Sequence, residues 1–401
     1  MSARNWKYLA RRRLGTAIAP LLVAWLTTSC GGGGSSDAPV GSIAAAEPNE
    51  AATQVAAAGG DAALAVEAVR AQSLRADPNR IRQVIVFGDS LSDVGTYKVG
   101  DIAAVGGGKF TTNPGPVWPE TIGLLLGTRV TPFRQGYAGT SQVLGGTGFA
   151  MGGARVSQQP GVDCNPDPFP DGPCTAQLTI PVTQQITDYL TANGDRFTRN
   201  QIVFVLAGAN DITFQLDVLQ AKVQAGVPAD QATLEALAAV QQAAVDLAGQ
   251  VQRILAKGAT RVVVLNMPEV TNTPAGKALP EPVRQLLAGM VQLFNGTLAA
   301  GVSGTGATLL DLYAEVQRVF ANPGAYLVHE LNVPACDAAK IAAITNGLET
   351  GGSSLFCSRQ TLVQNGAAIT YFFADGKHPT TLGHLIFARF VLIEVWKRGL
   401  L

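Results

Sequence analysis

Four short apolar runs constrain this chain more than any other feature of its sequence. They are Gln83–Phe87 (QVIVF), Gln201–Ala207 (QIVFVLA), Arg261–Asn266 (RVVVLN) and Ala307–Leu312 (ATLLDL), and none shows the polar alternation of a half-exposed strand. A strand without alternation is covered on both faces, as in a parallel sheet. Helix-length segments separate the later runs: an Ala/Gln/Leu stretch over Gln231–Lys257 that ends at Gly258, and Glu281–Ala300. Glycine directly after the last periodic residue is a usual helix stop. Strands that alternate with helices of this length predict an α/β domain, its parallel sheet wrapped by helices on both sides. Further helices are expected over Pro116–Leu126, Pro181–Leu190 and Pro379–Lys397, with another strand over Arg129–Phe133.

Hydrophobic residues make up 47% and charged residues 14% of the 401, which is the balance of a chain with a large core. The N-terminus differs from the rest. Arg4, Lys7, Arg11, Arg12 and Arg13 precede an apolar stretch over Leu14–Leu26, and no acid occurs before Cys30. That stretch is too short to cross a bilayer as a helix, so residues 1–29 are expected to be an export signal. Removing these five of the 29 basic residues leaves 24 against 29 acidic ones, with no basic run that would mark a nucleic-acid partner. Small residues before Cys30 and glycines after it resemble a bacterial lipoprotein cleavage site. A lipid on Cys30 would then tie the protein to a membrane through a Gly/Ala-rich tether over residues 30–79, with one Ala-rich helix near Asp61–Ala76. Cleavage nearby by the ordinary signal peptidase, giving a freely secreted or periplasmic protein, is the alternative. The folded domain is expected over residues 80–401. Setting Cys30 aside leaves Cys164, Cys174, Cys336 and Cys357, an even number that suits an oxidising compartment. Three pairings exist. Cys164–Cys174 and Cys336–Cys357 are favoured because each pair brackets a Gly-, Pro- or Ser-containing excursion. A four-thiolate metal site has no C-x-x-C spacing to support it.

The first apolar run ends in Gly88-Asp89-Ser90-Leu91-Ser92-Asp93, which would display Ser90 at the carboxyl end of a strand, where open α/β sheets bind ligands. A serine nucleophile needs a base and a group to orient that base. Of three histidines, His378 stands three residues after Asp375 in a turn before the last helix, which lets the carboxylate fold back to the imidazole. His384 reads as a packed helix residue, and His329 has no partner that spacing can name. Acyl transfer also needs donors for a developing oxyanion. Asn210 follows the second apolar run directly, and Gly152-Gly153 would let a backbone N–H approach a substrate closely. No G-x-S-x-G elbow, Walker motif or dinucleotide glycine fingerprint is present. Ordinary turns and helix caps would use the same residue types one at a time; the case rests on their co-occurrence.

These blocks together resemble the GDSL, or SGNH, family of serine esterases and lipases, from about Val84 to Ala388. Gly88–Asp93 is similar to its first block, Phe149–Ala154 to its second, Gly208–Asp211 to its third and Asp375–Thr380 to its last. Gly115–Trp118 and Asn322–Cys336 look like the secreted bacterial branch. The resemblance implies a flavodoxin-like α/β/α sandwich, a Ser90–His378–Asp375 triad, and an oxyanion hole of Ser90 N–H, Gly153 N–H and the Asn210 amide. Register favours Gly153 over Gly152. No metal or cofactor is implied, and the expected partners are small-molecule or lipid ester substrates. An acetylesterase of envelope or environmental polysaccharide, and a non-catalytic envelope lipoprotein, are the alternatives. Some relatives carry a C-terminal membrane β-barrel; ending at Leu401, the chain is expected to lack one, which leaves Cys30 as the membrane attachment. Loops Ala103–Pro116, Ser157–Thr179 and Leu327–Gln360 are expected to wall the pocket.

Overall fold

The computed structural model describes residues 61, 64–68, 80–163 and 176–401. The expected export signal, Cys30, most of the tether and the Cys164–Cys174 pair lie outside the described residues. Of the Ala-rich helix, residues 64–68 are helical, with Ala65 and Val66 buried in the core.

All four apolar runs form strands of one parallel sheet: β1 (Gln83–Gly88), β4 (Gln201–Leu206), β5 (Val262–Leu265) and β6 (Thr308–Leu310), hydrogen-bonded in that order. Register pairs Val84 with Ile202, Val203 with Val262 and Val264 with Leu309. Successive side chains of a strand point to opposite faces, so each run supplies two cores. Val84, Val86, Ile202, Phe204, Leu206, Val263 and Leu265 join one apolar cluster. Ile85, Phe87, Val203, Val205, Val262 and Val264 join the other.

Helices cover both faces. On the first lie α2 (Trp118–Leu125), α8 (Leu312–Ala321) and α10 (Thr381–Lys397); on the second lie α3 (Val182–Ala192), α5 (Ala229–Ala256) and α7 (Glu281–Val302). The molecule is thus an α/β/α sandwich of the expected class. A third, smaller cluster around Tyr97, Phe110, Met151 and Phe356 caps the carboxyl end of the sheet.

Three local expectations are corrected. Arg129–Phe133 is not a strand. Pro132 makes only an isolated bridge to Gly148, and the chain enters a small antiparallel hairpin instead, β2 (Arg134–Tyr137) with β3 (Thr140–Val143). Proline has no N–H to extend a ladder. Second, the glycine-dense stretch Gly145–Gly153, whose composition predicts a turn, is more than that. Val86 N–H donates to Thr147 O at 3.1 Å, and Phe149 N–H donates to Val86 O at 2.8 Å, so residues 147–149 run parallel along the outer edge of β1. Third, α10 begins at Thr381. The Thr380 hydroxyl accepts from Gly383 N–H and caps it, while Pro379 bridges back to Phe373. Helix α4 (Ala209–Gln224) was not expected, its low amphipathicity leaving no clear apolar stripe, and neither were α8 and the short helices Gly100–Ala104, Pro274–Lys277 and Ala338–Ile344.

From β1 the chain passes outward to 147–149 and then returns across β1 to β4. The carboxyl end of β1 is therefore the point where the connection reverses, the place such sheets bind ligands. Gly88 closes β1 there with φ +149°, and a Cβ on it would sit 2.0 Å from the carbonyl oxygen of Leu206 on β4. Gly88→Ala should destabilise the protein by about 3 kcal/mol or more, since a backbone atom blocks the methyl group. Urea unfolding of the purified variant measures it; an unchanged midpoint would contradict the close approach.

Candidate active site

β1 delivers Gly88 to the sheet edge, and a single 3-10 turn, Ser90–Ser92, follows at once. Asp89 caps that turn, its Oδ1 accepting Leu91 N–H at 3.0 Å. The cap orients the turn so that Ser90 Oγ lies 2.9 Å from His378 Nε2. His378 comes from the loop before α10, held against the preceding chain by Ala374 N–H donating to His378 O at 2.7 Å. Its Nδ1 lies 2.8 Å from Asp375 Oδ2. Asp375 Oδ1 accepts the N–H groups of Lys377 and His378 at 2.9 and 2.7 Å, and Oδ2 also accepts Ser354 N–H at 2.9 Å. The three residues are nearly buried. Burial opposes charge on Asp375, but the charge of His378 and this ring of donors outweigh it and hold the carboxyl below the ordinary range. The Phe110 ring lies against the imidazole, centroids 4.9 Å apart.

The neighbouring donors differ in what they already bind. Gly152 N–H donates to Asp93 Oδ2 at 2.9 Å. Among the described residues, the N–H groups of Ser90 and Gly153 have no acceptor. Gly153 adopts φ +74°, which glycine tolerates without strain. Asn210 lies in the first turn of α4, behind Gly208. Its Nδ2 gives one hydrogen to Ala154 O at 2.8 Å, and a primary amide has a second to offer. Asp211, its neighbour, accepts Val156 N–H at 3.0 Å and stands 3.4 Å from Arg155 Nε without hydrogen-bond alignment.

Gln185 and Ser354, among the supporting residues, carry no sequence signal. Gln185 on α3 clasps Gly88 from below, accepting its N–H at 2.9 Å and donating to its carbonyl at 2.8 Å. Asp93 ties the block together by accepting from Gly95, Thr96 and Gly152. Ser354 contributes only a peptide N–H, which no motif could reveal. His384 is buried inside α10, as expected of a packed residue. Its Nδ1 accepts Trp118 N–H at 3.4 Å and its Nε2 faces Phe110 O at 3.3 Å. Burial pushes it down to about 3, so the neutral ring suits both partners. His329 lies away from this group; its N–H donates to Thr370 O. Cys336 and Cys357 form a disulfide behind Asp375, with Cα atoms 5.8 Å apart. Among the described residues, no group of His, Cys, Asp and Glu is arranged to hold a metal ion.

The buried carboxyls of Asp89 and Asp93 are raised by burial, to about 7 and about 6. Asp89 Oδ2 has no hydrogen-bond partner, and Asp211 and Asp93 add repulsion against a partial attraction from Lys377. A raised folded-state pKa means that the contribution of Asp89 to stability is complete below pH 3.8 and is lost as pH rises through about 7. Asp89→Asn keeps an oxygen for Leu91 N–H and has no charge to bury. Its stability relative to wild type should rise between pH 4 and pH 8, read from urea unfolding at both; an equal difference at the two pH values would contradict a buried, titrating carboxyl.

Residues 84–391 match the family model of the GDSL-like lipase/acylhydrolase domain. An uncharacterized protein of the trpE-trpG intergenic region of Pseudomonas putida is 29% identical over 254 residues, 59% of this chain and 36% of that protein. The anther-specific proline-rich protein APG of Brassica napus is 30% identical over 131 residues, 31% of this chain and 27% of that protein. The chain thus aligns with only about a third of the length of these relatives.

Proposed function

Because the chain belongs to the GDSL-like lipase/acylhydrolase family and is a serine ester hydrolase, we propose that it cleaves acyl esters or lipids by a Ser90–His378–Asp375 acyl-enzyme mechanism. The observation that carries this reading is the continuous relay of 2.9 Å from Ser90 Oγ to His378 Nε2 and 2.8 Å from His378 Nδ1 to Asp375 Oδ2. Such a relay joins residues 288 positions apart and has no evident use in packing.

Ser90 Oγ attacks the ester carbonyl carbon as His378 Nε2 takes its proton. Asp375 holds the Nδ1–H tautomer and stabilises the imidazolium. The tetrahedral oxygen is met by the N–H groups of Ser90 and Gly153 and by the second amide hydrogen of Asn210, none of which has another acceptor to leave. Each such donor is worth roughly 2.7–4 kcal/mol at a transition state. Gly152 is unsuited to the role because Asp93 occupies its N–H. His378 then gives the proton to the departing alcohol. A water molecule, deprotonated by the same nitrogen, releases the acid and restores Ser90.

Export is the second part of the proposal. A basic leader, an apolar stretch and Cys30 support an anchored or secreted enzyme whose hydrolase domain spans residues 80–401. The Cys336–Cys357 disulfide suits an oxidising compartment. Mass spectrometry of the mature N-terminus should find a lipid-modified Cys30; an unmodified terminus beyond residue 30 would exclude the anchor.

Ser90→Ala should abolish p-nitrophenyl ester hydrolysis and fluorophosphonate labelling while the thermal midpoint stays within a few degrees of wild type. Turnover that survives this substitution would refute the nucleophile. Rates across acyl chain lengths in the same assay separate the readings: activity confined to acetyl esters would favour the polysaccharide acetylesterase.

A further inference from the structure

The carboxylate of Asp375 is held from two directions. Its own turn supplies Lys377 and His378 N–H groups to Oδ1. Those two bonds leave the position of Oδ2, the atom facing the imidazole, to be set from elsewhere. Ser354 N–H does this from a separate segment, donating to Oδ2 at 2.9 Å beside the 2.8 Å contact to His378 Nδ1.

That segment is itself clamped. Ser354 O accepts from Asn113 Nδ2 at 3.2 Å, and Leu355 O accepts from Gly108 N–H at 2.8 Å. Three residues after Ser354 comes Cys357, bonded to Cys336 and fully buried. Cys336 N–H donates to Ala374 O at 2.9 Å, and Ala335 N–H donates to Phe373 O at 2.8 Å, so the other half of the disulfide pairs with the chain immediately before Asp375. Sulfur to sulfur, the bond joins the segment that pairs with the chain before Asp375 to the turn that donates to Asp375. The intervening residues, including α9 (Ala338–Ile344), form an excursion that touches down through this bond.

We propose that Ser354 N–H is a positioning group for the ester hydrolysis assigned above, and that the Cys336–Cys357 disulfide is the brace that keeps it on Asp375. The proposal rests on that catalytic reading. Losing this donor frees the carboxylate plane to turn. It also makes Asp375 a stronger anion, which holds a proton on the imidazole more firmly. Turnover then falls, and the acid limb of the kcat profile moves to higher pH. The other ionisable groups coupled to this pair are Glu349, whose own carboxyl is raised mainly by burial, and the neutral ring of His384, which faces His378. Neither is altered by the tests below.

Ser354→Pro removes the donor and sets the ring Cδ where the hydrogen pointed at Asp375 Oδ2, 2.9 Å from the nitrogen, so the carboxylate is driven off its position while the disulfide stays in place. Ser354 opens a 3-10 turn, where proline is favoured, and Ser353 before it has φ −55° and ψ 131°, a conformation that proline accepts in its predecessor. Cys336→Ser with Cys357→Ser keeps the donor and removes the brace. Both proteins are assayed on p-nitrophenyl butyrate across pH 5–9 with their thermal midpoints. In each, kcat should fall by about tenfold with KM within about twofold, as expected when a catalytic group is misplaced rather than binding lost. The acid limb should rise in Ser354→Pro. Wild-type kcat and acid limb in Ser354→Pro, or a loss of rate that follows the thermal midpoint with the limb unmoved, would overturn the positioning role of Ser354 N–H. Wild-type kcat in the double cysteine variant would overturn the brace; should that variant fail to fold, unchanged kcat of the wild-type enzyme after reduction of the bond by dithiothreitol would do so. An inert wild-type enzyme that fluorophosphonate does not label would instead overturn the catalytic reading, and the brace with it.

Discussion

Ending a strand that is buried on both faces leaves peptide N–H and carbonyl groups where water does not reach, and each must find a partner or cost stability. The carboxyl end of β1 is built around that requirement. Gln185 satisfies both backbone groups of Gly88, Asp89 takes Leu91 N–H, and Asp93 takes three donors at once. Asp211 does the same for Val156. Side chains that look catalytic by composition are thus largely occupied with the backbone. The donors left over, Ser90 N–H and Gly153 N–H, are the ones an oxyanion can use.

The same economy explains why so many carboxyls sit beneath one site. An acid that accepts N–H bonds can be kept in a dry interior, several in the case of Asp93 and one from Leu91 or Val156 for Asp89 and Asp211, though burial still raises all of these carboxyls. Asp375 is the exception in direction: the attraction of His378 and four hydrogen bonds outweigh its burial. Two carboxylates near one serine therefore have opposite electrostatics. Asp89, adjacent in sequence, faces a protein surround that disfavours its charge. Asp375, remote in sequence, faces one that demands it. His384 completes the pattern, a neutral ring held between Trp118 N–H and Phe110 O, with Phe110 in turn packed on His378.

Most of the architecture was legible in the chain because buried parallel strands write themselves as unbroken apolar runs. Val84–Phe87 and Ile202–Leu206 could hardly have been anything else. Most failures occurred where local pattern is weak, although α8 was passed over despite a marked apolar stripe. Pro132 and the glycines of 145–148 disguised the edge ribbon beside β1, since an edge segment needs neither β-branching nor alternation once its partner supplies the hydrogen bonds. Helix α4 was hidden because its first turn is devoted to Asn210 and Asp211 rather than to packing.

For the site, sequence alone could nominate Ser90, Asn210, Asp375 and His378, because each stands at the end of a recognisable element in a motif of chemically apt residues. Between Gly152 and Gly153 it had only the family register, which favours Gly153, since both are glycines that permit close approach. That choice lies in which N–H is already bonded, and Asp93, 59 residues away, bonds Gly152. Sequence could not reveal Ser354, whose contribution is a peptide group common to nearly every residue, or Gln185, whose amide has no local partner to betray it. Periodicity and motif are properties of neighbours along the chain. Hydrogen-bond occupancy is a property of neighbours in space, and only folding brings those together.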